Sequence, residues 1–192
     1  MILFLPPAPH TGAFFDSVRA QLSGVQTEAA TYPGYGDEPE IPNPSIEGYA
    51  AALLPIADST HLVGFHTGCL VALEIARRQE NIGSITLIDV PYFDAATISK
   101  YLCEMNPEDS KQAAFFAAFD YDVGHALQAY SRELTVIATN SFLLEPTRRA
   151  ARKLKRARFM ERPDISKPAF EQPAMAELLS SLFLDNSQTA QT

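Results

Sequence analysis

The chain has 192 residues, of which 46% are hydrophobic and 20% are charged, and its formal net charge is −8. This length favours a single domain spanning 1–192, and the apolar content excludes a disordered chain. The acidic balance argues against nucleic acid as the main partner, and no apolar run approaches the roughly 18 residues of a membrane span. Two cysteines are too few for a disulfide scaffold, and the first residues lack the basic flank of a signal peptide. We therefore expect a cytoplasmic protein.

The first half of the chain alternates apolar strands with amphipathic helices. Strands are predicted over 2–5, 25–31, 61–65 and 84–90, and helices over 11–22, 45–54 and 67–78. Such alternation is typical of parallel βαβ units, so we expect an α/β fold with a doubly wound, mostly parallel sheet of about six strands. In such sheets ligands bind outside the carboxyl ends of the strands.

The second half of the chain interrupts this alternation. Residues 95–133 carry helical patterns only, and they are predicted to form a small helical insert over the strand ends, here called the cap segment. The remaining predicted elements are a strand over 134–139, a helix over 146–155, a short strand over 157–161 and a helix over 173–184.

The run HLVGFHTGCL, residues 61–70, places a sharp turn between a strand and a helix. Gly64 and Gly68 stand two residues before and two residues after His66, which is the framework of a nucleophile elbow. With the Pro33-Gly34-Tyr35-Gly36 turn and Leu87-Ile88-Asp89 after the elbow helix, the chain resembles the α/β-hydrolase superfamily. The resemblance covers nearly the whole chain and implies an α/β-hydrolase-type sheet.

The chemical positions implied by the resemblance carry unusual residues. The nucleophile position holds His66, the acid position after the strand 134–139 holds Asn140 and Ser141, and the segment 161–173 that should contain the catalytic histidine has none. We therefore expect a short member with a degenerate triad, since serine-type hydrolysis needs a nucleophile, a base and an orienting group.

Backbone donors could still form an anion site. Pro6-Pro7-Ala8 stands in place of the usual oxyanion loop, and proline has no N–H group to donate. The amides of Ala8 and Thr67 are the candidate donors, with Phe65 beside them as a ligand contact.

His66 is the best-placed candidate for chemistry. A helix N-terminus disfavours imidazolium, so His66 is expected to be neutral near pH 7 and able to act as a general base. Asp89 or Asp94 could orient it, and His10 could approach it across the pocket mouth. The alternatives are a cavity-lining His66, a structural Asp89 and an exposed His10.

Three functions remain open from the sequence. The first is binding of a small apolar or carbonyl-containing ligand under the cap, with Phe115, Phe116 and Phe119 lining the pocket or a dimer interface. The second is an atypical hydrolase, lyase, isomerase or cyclase that uses His66 as its base. No spacing of residues resembles a metal site, and no phosphate-binding glycine loop is present, so no cofactor is predicted.

The third function is assembly through a basic helix. The window 148–162 holds eight basic residues and one acidic residue. Helical spacing places several of them on one face of a helix over 148–156. Arg148, Arg149 and Arg152 are the candidate contacts for a homodimer or an acidic partner, although a solvated outer face explains the same pattern.

Overall fold

A computed structural model describes residues 1–106 and 109–183, so the last residue of the helix predicted over 173–184 lies outside the described part. Six strands form one parallel sheet in the order β2-β1-β3-β4-β5-β6, which confirms the predicted α/β architecture. The strands are β1 (Ile2–Leu5), β2 (Thr27–Ala29), β3 (His61–Phe65), β4 (Ile85–Ile88), β5 (Leu134–Asn140) and β6 (Ala157–Ser166).

The helices lie on the two faces of this sheet and over one of its edges. They are α1 (Asp16–Gln21), α2 (Ile46–Leu53), α3 (Thr67–Arg78), α4 (Ala95–Glu104), α5 (Ala113–Asp120), α6 (Val123–Ala129), α7 (Leu144–Lys153) and α8 (Pro173–Phe183). Within the described ranges, no helix combines the length and the apolar character that a membrane crossing requires.

Several elements differ in extent from the sequence prediction, most of all the first helix and β6. The helix expected over 11–22 is a 3-10 turn, Gly12–Phe15, followed by the short α1. The strand expected over 157–161 continues to Ser166. Most of its side chains are partly or fully exposed, so β6 lacks the continuous apolar run that marks a buried parallel strand. β6 continues as a strand because its backbone pairs with β5 along one side.

The core occupies both faces of the sheet because the strand side chains alternate. In β1, Leu3 and Leu5 pack with α2, α3 and the cap segment, whereas Ile2 and Phe4 pack with α1 and α8. The cap helices α5 and α6 contact α3, and the segment leaves the sheet after β4 and returns at β5. This arrangement brings the cap over the carboxyl ends of β1, β3 and β4.

Candidate functional site

The elbow between β3 and α3 is a strained turn held by two glycines. His66 has φ 50° and ψ −117°, in the left-handed half of backbone space that side chains rarely adopt. A Cβ atom on Gly68 would lie 2.0 Å from the Leu5 carbonyl oxygen, and one on Gly64 would lie 2.5 Å from the Gly68 oxygen. Both positions therefore exclude every other residue, which explains the glycine spacing seen in the sequence.

The His66 side chain is enclosed by aromatic rings. Its ring centroid lies 3.9 Å from that of Phe65 and 5.8 Å from that of Phe142. Within the described part of the chain, its Nε2 is the one buried side-chain nitrogen or oxygen atom without a hydrogen-bond partner. Burial, with the charges of Lys167 and His10, lowers the pKa of His66 to about 3. His66 is therefore neutral at pH 7 and accepts a proton only weakly.

This pKa gives a prediction for acid stability. Because the folded pKa of His66 lies below the unfolded value of 6.5, the unfolded chain binds more protons between the two values. The stability that His66 contributes is present above pH 6.5 and is lost as the pH falls toward the folded pKa. Between pH 7 and pH 4, urea titrations should show wild type losing about 3 kcal/mol more than His66→Asn.

Asparagine suits this test because it tolerates a positive φ. The control is His125→Asn, on the exposed part of α6, which keeps His66 and should therefore keep the full acid loss. Equal acid loss in wild type and His66→Asn would contradict the lowered pKa.

A pocket of about 440 Å³ lies between the elbow and the cap segment. Such a volume is in the range of small-molecule sites. Its polar lining groups include His66, Thr67, Glu104 and Gln112. Its apolar and aromatic walls are Ala8, Pro91, Phe93, Tyr101, Met105, Phe115, Ala118, Phe119, Phe142 and Leu143. The pocket is therefore a mainly apolar chamber whose polar groups come from the elbow (His66 and Thr67) and from the cap segment (Glu104 and Gln112).

The structure brings several of the predicted residues into this pocket. Ala8, Thr67, Phe115 and Phe119 line it together with His66. Thr67 is the first residue of α3, so its N–H group has no acceptor within the helix and can serve a ligand.

Two predicted pocket residues lie elsewhere. Phe116 is half-buried on α5 and is not among the lining residues. Phe65 was expected to contact the ligand, but it is not among the lining residues: it is 5% exposed and packs against Phe14 and Phe170 on the opposite face of the sheet. The reason is the strand alternation, which turns Phe65 toward α8.

Neither predicted carboxylate orients His66. Asp89 is 1% exposed and accepts hydrogen bonds from the Thr139 backbone N–H at 2.8 Å and from the Thr139 hydroxyl at 2.5 Å. Burial raises the pKa of Asp89, and the Thr139 hydrogen bonds oppose this rise. Asp94 caps α4 by accepting from the Thr97 N–H. Asp89 therefore ties β4 to β5, and Asp94 belongs to the cap segment.

His10 lies on the exposed loop after β1 and is not among the lining residues of the pocket. Its ring packs on Phe14, with 4.8 Å between the centroids. The charge of His10 contributes, after burial and Lys167, to the lowered pKa of His66.

Cys69 is a structural residue. Its side chain is fully buried on the first turn of α3, and its thiol donates to the carbonyl oxygens of Gly64 and Ile88, each at 3.2 Å. Burial raises the pKa of this thiol well above its usual value, so the reactive thiolate is disfavoured.

Sequence reasoning missed two residues that line the pocket, Phe142 and Leu143, and one residue, Lys167, that contacts Phe142. Phe142 and Leu143 follow β5, where only a carboxylate was sought. Lys167 follows β6, where only a histidine was sought, and its Nζ lies 4.7 Å from the Phe142 ring centroid. The signal was present in both cases, since residues directly after the carboxyl ends of parallel strands are candidates whatever their type.

The basic helix is partly occupied by internal contacts. Arg148 pairs with Glu145 and with Glu161, the latter at 2.7 Å, and Arg149 donates to the Tyr92 carbonyl at 3.1 Å. The helix ends at Lys153, which corrects the expected range 148–156 and places Arg156 after it. Of the three predicted partner contacts, Arg152 remains exposed with no ion pair in the described chain.

The described residues also contain no cluster suited to a metal ion.

Comparison with known proteins identifies the fold. No family model and no curated protein matches the sequence. Solved structures do match. A lipase-esterase related protein from Clostridium acetobutylicum superposes with TM-score 0.74 at 14% identity, over 96% of this chain and 93% of the other. A hydrolase from Oleispira antarctica gives TM-score 0.75 at 15% identity, over 94% and 89%.

An enol-lactonase from Burkholderia xenovorans gives TM-score 0.71 at 14% identity, over 96% of this chain and 89% of the other. Identities this low show only a shared fold. The activities of these proteins therefore do not carry over to this chain. The sheet order, the elbow and these superpositions agree with the resemblance in the sequence. The chain has an α/β-hydrolase-like fold, with His66 at the turn of its elbow.

Proposed function

We propose that this protein binds a small apolar or carbonyl-containing ligand beneath the cap segment and does not hydrolyse esters by a serine-type triad. The observation that carries the proposal is the apolar chamber of about 440 Å³ directly above the elbow. A chamber with apolar walls and few polar groups suits a ligand with a hydrophobic body and one polar end.

The residues at the three chemical positions support the absence of a triad. His66 stands at the elbow, where its Nε2 is buried without a partner. Ser141 follows β5, and its hydroxyl accepts from the Leu143 N–H at 3.2 Å. Lys167 follows β6. No nucleophile paired with an oriented base results from this set.

Catalysis by His66 as a general base has weaker support. An effective base has a pKa near the working pH, whereas the pKa of His66 is lowered to about 3. The Asp89 carboxylate that could have raised it is bonded to Thr139 instead. Catalysis by His66 would therefore need a neighbouring group that raises its pKa, and the described residues place no such group beside it.

The first test of the proposal is ester hydrolysis. Turnover of nitrophenyl acetate by purified wild-type protein should equal that of His66→Ala, because His66 lacks the pairing that activates a nucleophile or base. The matched control is His125→Ala on exposed α6. Turnover that disappears in His66→Ala and persists in His125→Ala would overturn the non-catalytic assignment.

The second test is binding of prodan, a neutral naphthalene ketone whose fluorescence responds to apolar surroundings. Wild type should bind it, and Ala118→Trp should weaken binding by about tenfold or more, because the indole fills the chamber that Ala118 lines. Ala51→Trp on the exposed side of α2 adds the same ring outside the pocket and should bind like wild type. Equal binding of prodan by all three proteins would show that prodan does not bind in this pocket.

A further inference from the structure

An exposed lysine that is not itself among the lining residues contacts one of the aromatic rings that line the pocket. Lys167 directly follows β6, and its Nζ lies 4.7 Å from the centroid of the Phe142 ring. Phe142 lines the pocket, and its ring centroid is 5.8 Å from that of His66. The Phe142 ring therefore contacts both the Lys167 ammonium group and the His66 imidazole.

This ammonium group has no carboxylate partner in residues 1–106 and 109–183. No carboxylate oxygen of those residues lies within 4.0 Å of it. Burial is the main cause of the lowered pKa of His66, and the charge of Lys167 contributes to it, so this charge acts at the elbow. An unpaired cation beside an apolar chamber attracts a negatively charged ligand group.

The charges around the pocket are separated by position. At the elbow end are Lys167, on the Phe142 ring, the Thr67 N–H at the start of the twelve-residue α3, and the neutral His66. At the cap end stands the exposed carboxylate of Glu104. A helix N-terminus carries partial positive charge, so the elbow end favours an anion and the Glu104 end disfavours one. The electrostatics therefore orient a ligand with one charged end.

We propose that the ligand is an apolar monocarboxylate, with its carboxylate at the elbow beside Lys167 and Thr67 and its hydrophobic body under the cap segment. This inference rests on the proposed binding function. It adds that the ligand is negatively charged and that its charged end points toward the elbow. It also assigns to Lys167 the preference for a charged ligand over a neutral one.

The test compares naphthoate with the neutral naphthamide, which has the same ring system and nearly the same shape. Isothermal titration of wild type should give tighter binding of naphthoate. Lys167→Met keeps the aliphatic stem and should weaken naphthoate binding by about threefold to fivefold, as expected for loss of one exposed ion pair, with naphthamide unchanged. Lys167→Arg should retain naphthoate binding. Lys155→Met, which removes an exposed lysine outside the pocket lining, is the matched control.

The outcomes separate this inference from the proposed function. If naphthamide and naphthoate bind wild type equally and Lys167→Met changes neither, the pocket binds apolar ligands and the carboxylate inference is wrong. If naphthoate is preferred but Lys167→Met leaves the preference intact, the selecting role of Lys167 is wrong. If neither compound nor prodan binds, the binding function itself fails. A melting temperature close to that of wild type shows that each variant is folded.

Discussion

Gly68→Ala is expected to destabilise the protein by about 4 kcal/mol or more, enough to prevent a marginally stable domain from folding. The added Cβ would lie 2.0 Å from the Leu5 carbonyl oxygen and 2.6 Å from the Leu5 carbonyl carbon. Both atoms belong to the backbone of β1, so relief requires moving either α3 or a central strand. The measurement is the free energy of unfolding in urea, or the soluble yield if the variant does not fold.

Gly124→Ala is the matched control for this substitution. Gly124 lies within α6, and its added Cβ would meet the Tyr92 hydroxyl at 3.3 Å and the Asp122 carboxylate at 3.5 Å. Both are ends of side chains that can move. This variant should therefore stay within about 1 kcal/mol of wild type. A Gly68→Ala variant as stable as Gly124→Ala would show that the elbow does not press against β1 as described.

Asp89→Ala is expected to lower the free energy of unfolding by about 3–5 kcal/mol. The substitution leaves two buried donors of Thr139, the backbone N–H and the hydroxyl, without their acceptor. Asp89 also has φ 53°, where alanine is disfavoured by about 1–2 kcal/mol. Burial raises the pKa of Asp89, which means that its charged form is disfavoured in the folded protein. Removing the carboxylate therefore offsets part of this loss. Urea unfolding at neutral pH measures the difference.

Asp89→Asn separates the hydrogen bonds from the charge. Asparagine keeps an acceptor oxygen and tolerates a positive φ, so the loss should be about 1 kcal/mol. If the alanine and asparagine variants are equally unstable, the negative charge matters and the Thr139 hydrogen bonds do not. If both match wild type, the link between β4 and β5 through Asp89 contributes nothing to stability.

Local patterns were sufficient where a single element determines the answer. The strands β1 and β3 and the helix α3 have the predicted bounds, because buried parallel strands read as apolar runs and α3 starts directly at the elbow. The glycine spacing around His66 predicted the elbow, since the steric demand acts on residues only two positions apart. The predicted length of the edge strand β6 was too short, because most of its side chains are partly or fully exposed and its sequence lacks a continuous apolar run.

The candidate site depends on contacts between residues far apart in the chain. The sequence left open whether Asp89 orients His66 or is a structural carboxylate, and its partner is Thr139, fifty residues later. Phe65 is adjacent to His66 in sequence, yet it belongs to the core on the other face of the sheet. Lys167 is distant from His66 in sequence, yet both contact the Phe142 ring. Spacing along a chain carries no information on such pairs.

The sequence by itself determined the α/β class, the order of the elements and the elbow with His66 at its turn, because apolar periodicity and glycine requirements are local properties of the chain. The tertiary structure alone decided which side chains meet above the elbow. It placed Phe142 beside His66, with Lys167 on the Phe142 ring, and it paired Asp89 with Thr139, because these contacts follow from the packing of separate strand ends.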